Sequence, residues 1–146
     1  MKKSLLLFSL AIGTLTFSCK QEEVAVNPDK VYQVLTTLSG ANEVPAVVSS
    51  ATGSVSGTYN KTTKTLNVTV NYSGIDPVAW HIHKAAAGAT GSVIFNFGVE
   101  FKTPFASIPL VLTDAQEADL LTGLYYVNIH SAKSPSGEIR GNLSLR

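Results

Sequence analysis

The chain predicts an all-β fold, an antiparallel Greek-key β-sandwich with one short helix, and three observations lead there. Val, Thr, Ser, Gly, Tyr and Asn crowd the sequence while Gln, Glu, Lys and Met are sparse, a balance that favours strands and turns over helices. Leu66, Val68, Val70 and Tyr72 alternate without a break against Thr65, Asn67, Thr69 and Asn71, which marks a strand with one buried and one wet face. Short segments of this kind recur roughly every 8 to 15 residues between turn signals, the rhythm of a sandwich.

The elements follow in order. At 146 residues the chain is long enough for one domain with a real core and too short for two comfortable ones. Residues 1–18 read as a targeting segment. Lys2 and Lys3 form a positive start, and Leu5 to Phe17 form an apolar run too short for a convincing membrane span. Residues 19–30 are a polar tether containing Pro28. The domain proper occupies residues 31–146. Its first strand runs from Val31 to Leu38, followed by the turn-rich Ser39-Gly40-Ala41-Asn42-Glu43-Val44-Pro45. A second strand, Gly53 to Tyr59, turns at Asn60-Lys61-Thr62-Thr63-Lys64 into the alternating third. Val78 to His83 forms the fourth. After the small, flexible Ala85 to Gly91 stretch come strands Ser92 to Phe97 and Phe105 to Leu112. Thr113-Asp114-Ala115-Gln116 has capping-box spacing, Leu120 and Leu121 supply an apolar side, and Gly123 sits where a C-cap belongs, so a short helix is expected there. Strands Leu124 to His130 and Glu138 to Leu145 complete the chain around the turn Lys133 to Gly137.

Composition excludes several function classes. Charged residues make up only 14% and the formal net charge is +1, so there is no electrostatic footprint for nucleic acid. The Ala85 to Gly91 stretch lacks the Lys-Ser/Thr pair and the following helix of a phosphate-binding loop. No Ser sits in a Gly-x-Ser-x-Gly elbow and no carboxylate pair flanks an apolar cleft, which argues against a hydrolase.

What remains is a set of three histidines in two runs, Trp80-His81-Ile82-His83 and Tyr125-Tyr126-Val127-Asn128-Ile129-His130. In an extended strand His81 and His83 point the same way, about 7 Å apart, with Trp80 and Ile82 on the opposite face. Tyr126, Asn128 and His130 likewise share a face opposite Tyr125, Val127 and Ile129. If the two strands pair with polar faces matched, three imidazoles converge, a donor set for copper or zinc. The competing reading is that the histidines hydrogen-bond turns and stabilise the sandwich. A metal site would need partners to orient the rings: Asn128 and Tyr126 share His130's face, and Glu43 or Glu138 can accept a ring N–H. Arg140 reads first as an ion-pair partner of Glu138, two residues away.

Several blocks resemble a known family. Leu38-Ser39-Gly40-Ala41-Asn42-Glu43-Val44-Pro45, Gly53, Trp80-His81-Ile82-His83, the Gly123 to His130 run and Pro135-Ser136-Gly137-Glu138-Ile139-Arg140-Gly141 are together similar to the CHRD domain, first described in the developmental protein chordin. The likeness spans about residues 31 to 146, and Trp80 departs from it where the family usually carries Ala. It implies a β-sandwich and an extracytoplasmic setting, and little about activity. A fainter similarity is to Cu/Zn superoxide dismutase, an immunoglobulin-like Greek-key sandwich whose copper is partly held by a His-x-His strand and a later histidine followed by an Arg. That order matches His81, His83, His130 and Arg140, but no histidines are left for a second metal, so the likeness implies one mononuclear redox centre at most, with Arg140 as a guide for anions to the metal. Leu15-Thr16-Phe17-Ser18-Cys19 resembles a bacterial lipoprotein signal, in which Cys19 becomes the lipid-modified N-terminus; an ordinary secretory signal is the alternative. Cys19 is the only cysteine, so no intramolecular disulfide is possible. Cleavage before it would remove Lys2 and Lys3 and shift the formal balance from +1 to −1. Lys20 after the cysteine suits outer-membrane sorting, and Gln21-Glu22-Glu23 resembles the acidic stretch that takes some lipoproteins to the cell surface. Three functions are thereby expected to compete: a lipid-anchored envelope binding protein holding copper or zinc, a mononuclear copper redox enzyme, and a structural or adhesive module with an envelope or extracellular protein partner.

Overall fold

A computed structural model describes residues 30–146 of the chain; the expected targeting segment, Cys19 and most of the expected tether lie outside the described residues. In order come β1 (Val31–Ser39), a 3-10 turn (Gly40–Asn42), β2 (Thr52–Asn60), β3 (Thr65–Ser73), β4 (Pro77–Lys84), β5 (Ser92–Asn96), β6 (Phe105–Ala106), β7 (Leu110–Val111), α1 (Asp114–Leu121), β8 (Tyr125–Ser131), β9 (Ile139–Asn142) and β10 (Ser144–Leu145). The hydrogen-bonded path is β5-β4-β8-β9-β1-β2-β3-β6, with β10 on β1 and β7 on β3. Every strand pairing among the described residues is antiparallel. The fold is therefore all-β with one short helix, as expected. Its two layers belong to one continuous curled sheet, which fits a sandwich or barrel-like fold.

The curl brings the two ends of the path together through side chains. Trp80 on β4 is fully buried. Its ring lies 4.5 Å from Phe105 on β6, 6.0 Å from Tyr72 on β3, 5.7 Å from Phe97 and 5.6 Å from Phe101. The indole N–H donates to the Gly98 carbonyl at 3.0 Å, so the one polar atom of this large side chain is satisfied. Inward residues of the remaining strands complete the core, among them Tyr32, Val34, Val55, Leu66, Val68, Val70, Ile82, Val127, Ile129 and Ile139.

Two expected strands are interrupted, each for a local reason. The Phe105 to Leu112 segment contacts β3 in two short pieces, Phe105 opposite Val70 and Leu110 opposite Leu66. Pro109 lies between them and has no N–H to give to the ladder. The last strand breaks at Leu143, which is buried in the core while the chain passes from β8 and β9 to a pairing of β10 with β1. The helix carries the expected capping box, with Thr113 accepting from Gln116 N–H and Gln116 accepting from Thr113 N–H. It ends in the expected glycine: Gly123 has φ +72°, its N–H donates to Leu120 O, and Leu124 N–H donates to Asp119 O, the paired bonds of a Schellman cap. Leu120 is fully buried and Leu121 only partly. Glu117 fills the rest of the inner face, taking bonds from the Tyr59 hydroxyl and from Lys61 Nζ.

Because Trp80 joins both ends of the curl, Trp80→Ala is expected to cost about 3–5 kcal/mol. Urea unfolding would check this: a loss below about 1 kcal/mol would mean that the curl closes without the indole.

Candidate metal centre

The site begins with the register of β4 against β8. Trp80 lies opposite Ile129 and Ile82 opposite Val127, all four in the core, while His81 lies opposite Asn128, His83 opposite Tyr126 and Ala79 opposite His130. The same alternation that fills the core therefore places His81, His83, Tyr126, Asn128 and His130 on the other face. Ring centroids are 5.4 Å apart for His81 and His83, 5.1 Å for His81 and His130, and 6.0 Å for His83 and His130. One nitrogen from each ring falls within 4.8 Å of the others.

Backbone carbonyls fix two of the rings. His83 Nδ1 lies 2.9 Å from Gly91 O, and His130 Nδ1 lies 2.9 Å from Pro135 O. A carbonyl only accepts, so both Nδ1 atoms carry the proton and both Nε2 atoms of the neutral rings keep their lone pairs. His130 Nε2 faces His81 Nδ1 at 3.2 Å, and His81 donates there. His83 Nε2 is buried with no hydrogen-bond partner. Burial pushes all three imidazoles below the usual histidine range; the neighbouring rings add to this at His81, the Arg140 charge adds to it at His83, and the carbonyl bonds of His83 and His130 oppose it. The neutral, ligating form is the favoured one. Carbonyl orientation of the ring N–H with a free lone pair on the far nitrogen is the arrangement that fits a metal ligand. The expected carboxylate acceptors, Glu43 and Glu138, do not play that part.

Gly91 ties two residues of the site together. Its carbonyl holds His83, and its N–H donates to the Tyr126 hydroxyl at 3.2 Å. A Cβ at this position would stand 1.7 Å from Lys84 O, so only glycine permits the approach. Tyr126 in turn stacks on His83, with centroids 4.9 Å apart and planes 9° from parallel. The small Ala85 to Gly91 stretch is thus a clamp beside the histidines, whereas the specific acceptors Gly91 O and Pro135 O had no side-chain signal to reveal them.

Arg140 and Glu138 are placed differently from expectation. They form no ion pair among the described residues. Glu138 precedes β9 and accepts from the hydroxyls of Ser49, at 2.7 Å, and Ser131, which hold its carboxyl below the usual range. It lines a separate cleft of about 600 Å³ with Asp76, Pro77 and Lys133. Arg140 is 1% exposed, its Cζ lies 3.5 Å from the Tyr126 ring centroid, and its Nε and Nη2 have no hydrogen-bond partner. This guanidinium supports the back of the stack and presents no solvent-facing fork for steering anions.

Glu43 closes the layer. Its Oε1 accepts from Asn128 Nδ2 at 2.9 Å, and Gly137, at φ +133°, passes so close that a Cβ would meet both groups, at 2.6 and 2.1 Å. Burial raises the Glu43 carboxyl from 4.5 to about 7, against the opposing pull of Arg140 and the Asn128 bond. A carboxyl raised on folding contributes stability that is complete below pH 4.5 and lost as pH climbs through about 7. In metal-free protein, the stability difference between wild type and Glu43→Gln should therefore fall with rising pH, by up to ~3 kcal/mol between pH ~4 and ~8. The histidines titrate in the opposite sense but in both proteins, so the difference curve from urea unfolding isolates Glu43, and a flat curve would refute this account.

Comparison with known proteins adds the family. The CHRD domain matches residues 34–143, well over half of the chain. No curated protein and no solved structure matches it. The match takes in both histidine runs, the Glu43 loop and the Gly137 to Arg140 turn, and the chain belongs to the CHRD-domain family.

Proposed function

We propose that this CHRD-domain chain is a lipid-anchored protein of the cell envelope that binds one transition-metal ion, copper or zinc, through His81, His83 and His130. The observation that carries the reading is the convergence of three imidazole nitrogens within 4.8 Å, with two rings locked by carbonyls and the His83 Nε2 lone pair buried and unused. A histidine serving only to brace a turn would direct its bonding capacity outward to the turn. Here each locked ring gives one nitrogen to the backbone and keeps the other for the centre. A bound ion would supply Lewis acidity or one-electron chemistry; the chain's own part is to hold the three donors neutral, to orient two of them through Gly91 and Pro135, and to cover His83 with Tyr126. Ion entry requires His81 to give up its Nδ1 proton, which it can return at Nε2.

The anchoring half of the reading rests on sequence. Cys19 stands at the end of a short apolar run, and the tether of residues 19–30 would let the sandwich stand off an outer-membrane or surface leaflet, where it would meet metal ions and envelope or extracellular partner proteins.

Two measurements test these halves. Elemental analysis of the untagged, detergent-solubilised chain titrated with Cu²⁺ and Zn²⁺ is expected to give close to one ion per chain, lost in His81→Ala/His83→Ala; wild-type protein that binds no ion would leave a structural or protein-binding module. Cys19→Ala is expected to abolish incorporation of labelled palmitate and to move the protein from membranes to the soluble fraction. Unlabelled wild type would instead assign an ordinary secretory signal.

A further inference from the structure

We propose that the three-histidine centre selects for low ionic charge and is a site for monovalent copper, Cu⁺, in preference to Zn²⁺ or other dications. The inference deepens the metal reading above and rests on it. Two independent features of the molecule lead to it, one concerning the number of donors and the other concerning charge.

The donor count comes first. His81, His83 and His130 form the one cluster of at least three ligating side chains among the described residues, and no carboxylate belongs to it. Residues 31–146 contain no sulfur, since the only Met is Met1 and the only Cys is Cys19. Zn²⁺ is held in four-coordinate tetrahedral sites and needs a further donor from solvent or substrate. Cu⁺, a closed-shell ion, is satisfied by three nitrogens in a trigonal plane, and imidazole serves copper as readily as zinc. At this centre the roof of Tyr126 and Gly91 lies against His83, and no fourth His, Cys, Asp or Glu donor joins the three among the described residues.

Charge points the same way. All three ligands are neutral, and the two orienting acceptors are backbone carbonyls rather than carboxylates, so nothing in direct contact with the rings offsets the charge of an ion. Behind Tyr126 sits Arg140, 1% exposed and without an ion pair among the described residues, and its charge acts on both His83 and Glu43. Glu43, the acidic group coupled to this guanidinium, is buried against Asn128 and resists ionisation. A fixed cation repels a dication twice as strongly as a monocation at the same place.

The test uses the full chain in detergent at pH 6, below the Glu43 value of about 7, under anaerobic conditions, with the metals alone as probes. Cu⁺ affinity is read by competition with bicinchoninate and Zn²⁺ affinity by competition with a chromogenic chelator, while the X-ray absorption edge reports coordination number. Wild type should hold Cu⁺ with a three-coordinate edge. Arg140→Met should raise Zn²⁺ affinity about tenfold and Cu⁺ affinity about threefold, in the two-to-one logarithmic ratio of their charges, and Arg140→Lys should restore wild-type selectivity. If Arg140→Met does not fold, wild type at pH 8 against pH 6 gives the converse reading, because ionised Glu43 then offsets the guanidinium and the Zn²⁺-to-Cu⁺ affinity ratio should rise, a change that Glu43→Gln should lack. Equal shifts for the two ions, or a four-coordinate edge, would overturn this selectivity while leaving the metal site intact. A wild-type chain that binds neither ion would overturn the metal reading itself.

Discussion

The pairing of β4 with β8 sets both the core and the candidate centre. On β4, Trp80 and Ile82 point inward while His81 and His83 point outward; on β8, Val127 and Ile129 oppose them inward and Tyr126, Asn128 and His130 outward. Because side chains alternate with period two, a slip of one residue would put imidazoles into the core and the indole into the polar layer. The apolar half of the ladder therefore enforces the register that the polar half needs. The aromatic contacts of Trp80 with Phe105, Phe97 and Phe101 hold the inward face of this ladder against the far end of the sheet.

The outer face of β8 is not left to solvent. All seven residues from Tyr125 to Ser131 are buried, since three connections fold over them: the Gly40 to Val47 turn bringing Glu43, the β4–β5 loop bringing Gly91, and the segment after β8 bringing Pro135 and Gly137. Close approach is possible only where a Cβ is missing: at Gly91 a Cβ would stand 1.7 Å from Lys84 O, and at Gly137 2.1 Å from Asn128 Nδ2 and 2.6 Å from Glu43 Oε1. Asn42 Nδ2 adds a bond to Arg140 O at 3.1 Å, which fastens the first of these loops to β9. The histidines thus sit in a layer with an inner wall of sheet and an outer wall of loops, and that confinement depresses their basicity.

Strand and helix positions were legible in the sequence because their signals are local. The alternation of β3, the capping box at Thr113 and the cap at Gly123 each depend on residues a few positions apart. The grouping of His81, His83 and His130 was legible for the same reason once the two strands were paired, since alternation alone decides which side chains share a face. The partners were not. Gly91 and Pro135 act through carbonyls, which every residue carries, so composition cannot single them out. Glu138 and Arg140 are two apart, which suggests a shared face, yet β9 begins only at Ile139. The backbone at Gly137, with φ +133°, turns Glu138 toward Ser49 and Ser131 before alternation starts.

The unmet bonding capacity of this layer bears on why it exists. Among the described residues, buried polar side-chain atoms without hydrogen-bond partners are Tyr125 Oη on the inward face and, on the outward-facing residues of β4, β8 and β9, His83 Nε2, Asn128 Oδ1, Arg140 Nε and Nη2 and Asn142 Nδ2. Each such group costs about 1–3 kcal/mol relative to a satisfied one. Apolar residues of similar volume would remove that cost, as replacements of buried ionic groups elsewhere have done. The core beneath shows that this sheet packs apolar residues well: Ile82, Val127, Ile129 and Ile139 are all fully buried. A sequence that fills one face of three strands with hydrocarbon and the other with imidazole, amide and guanidinium is not arranged for stability on both faces. Local departures from the rules of stable packing concentrate where a structure meets its ligand, and here they concentrate around three histidines.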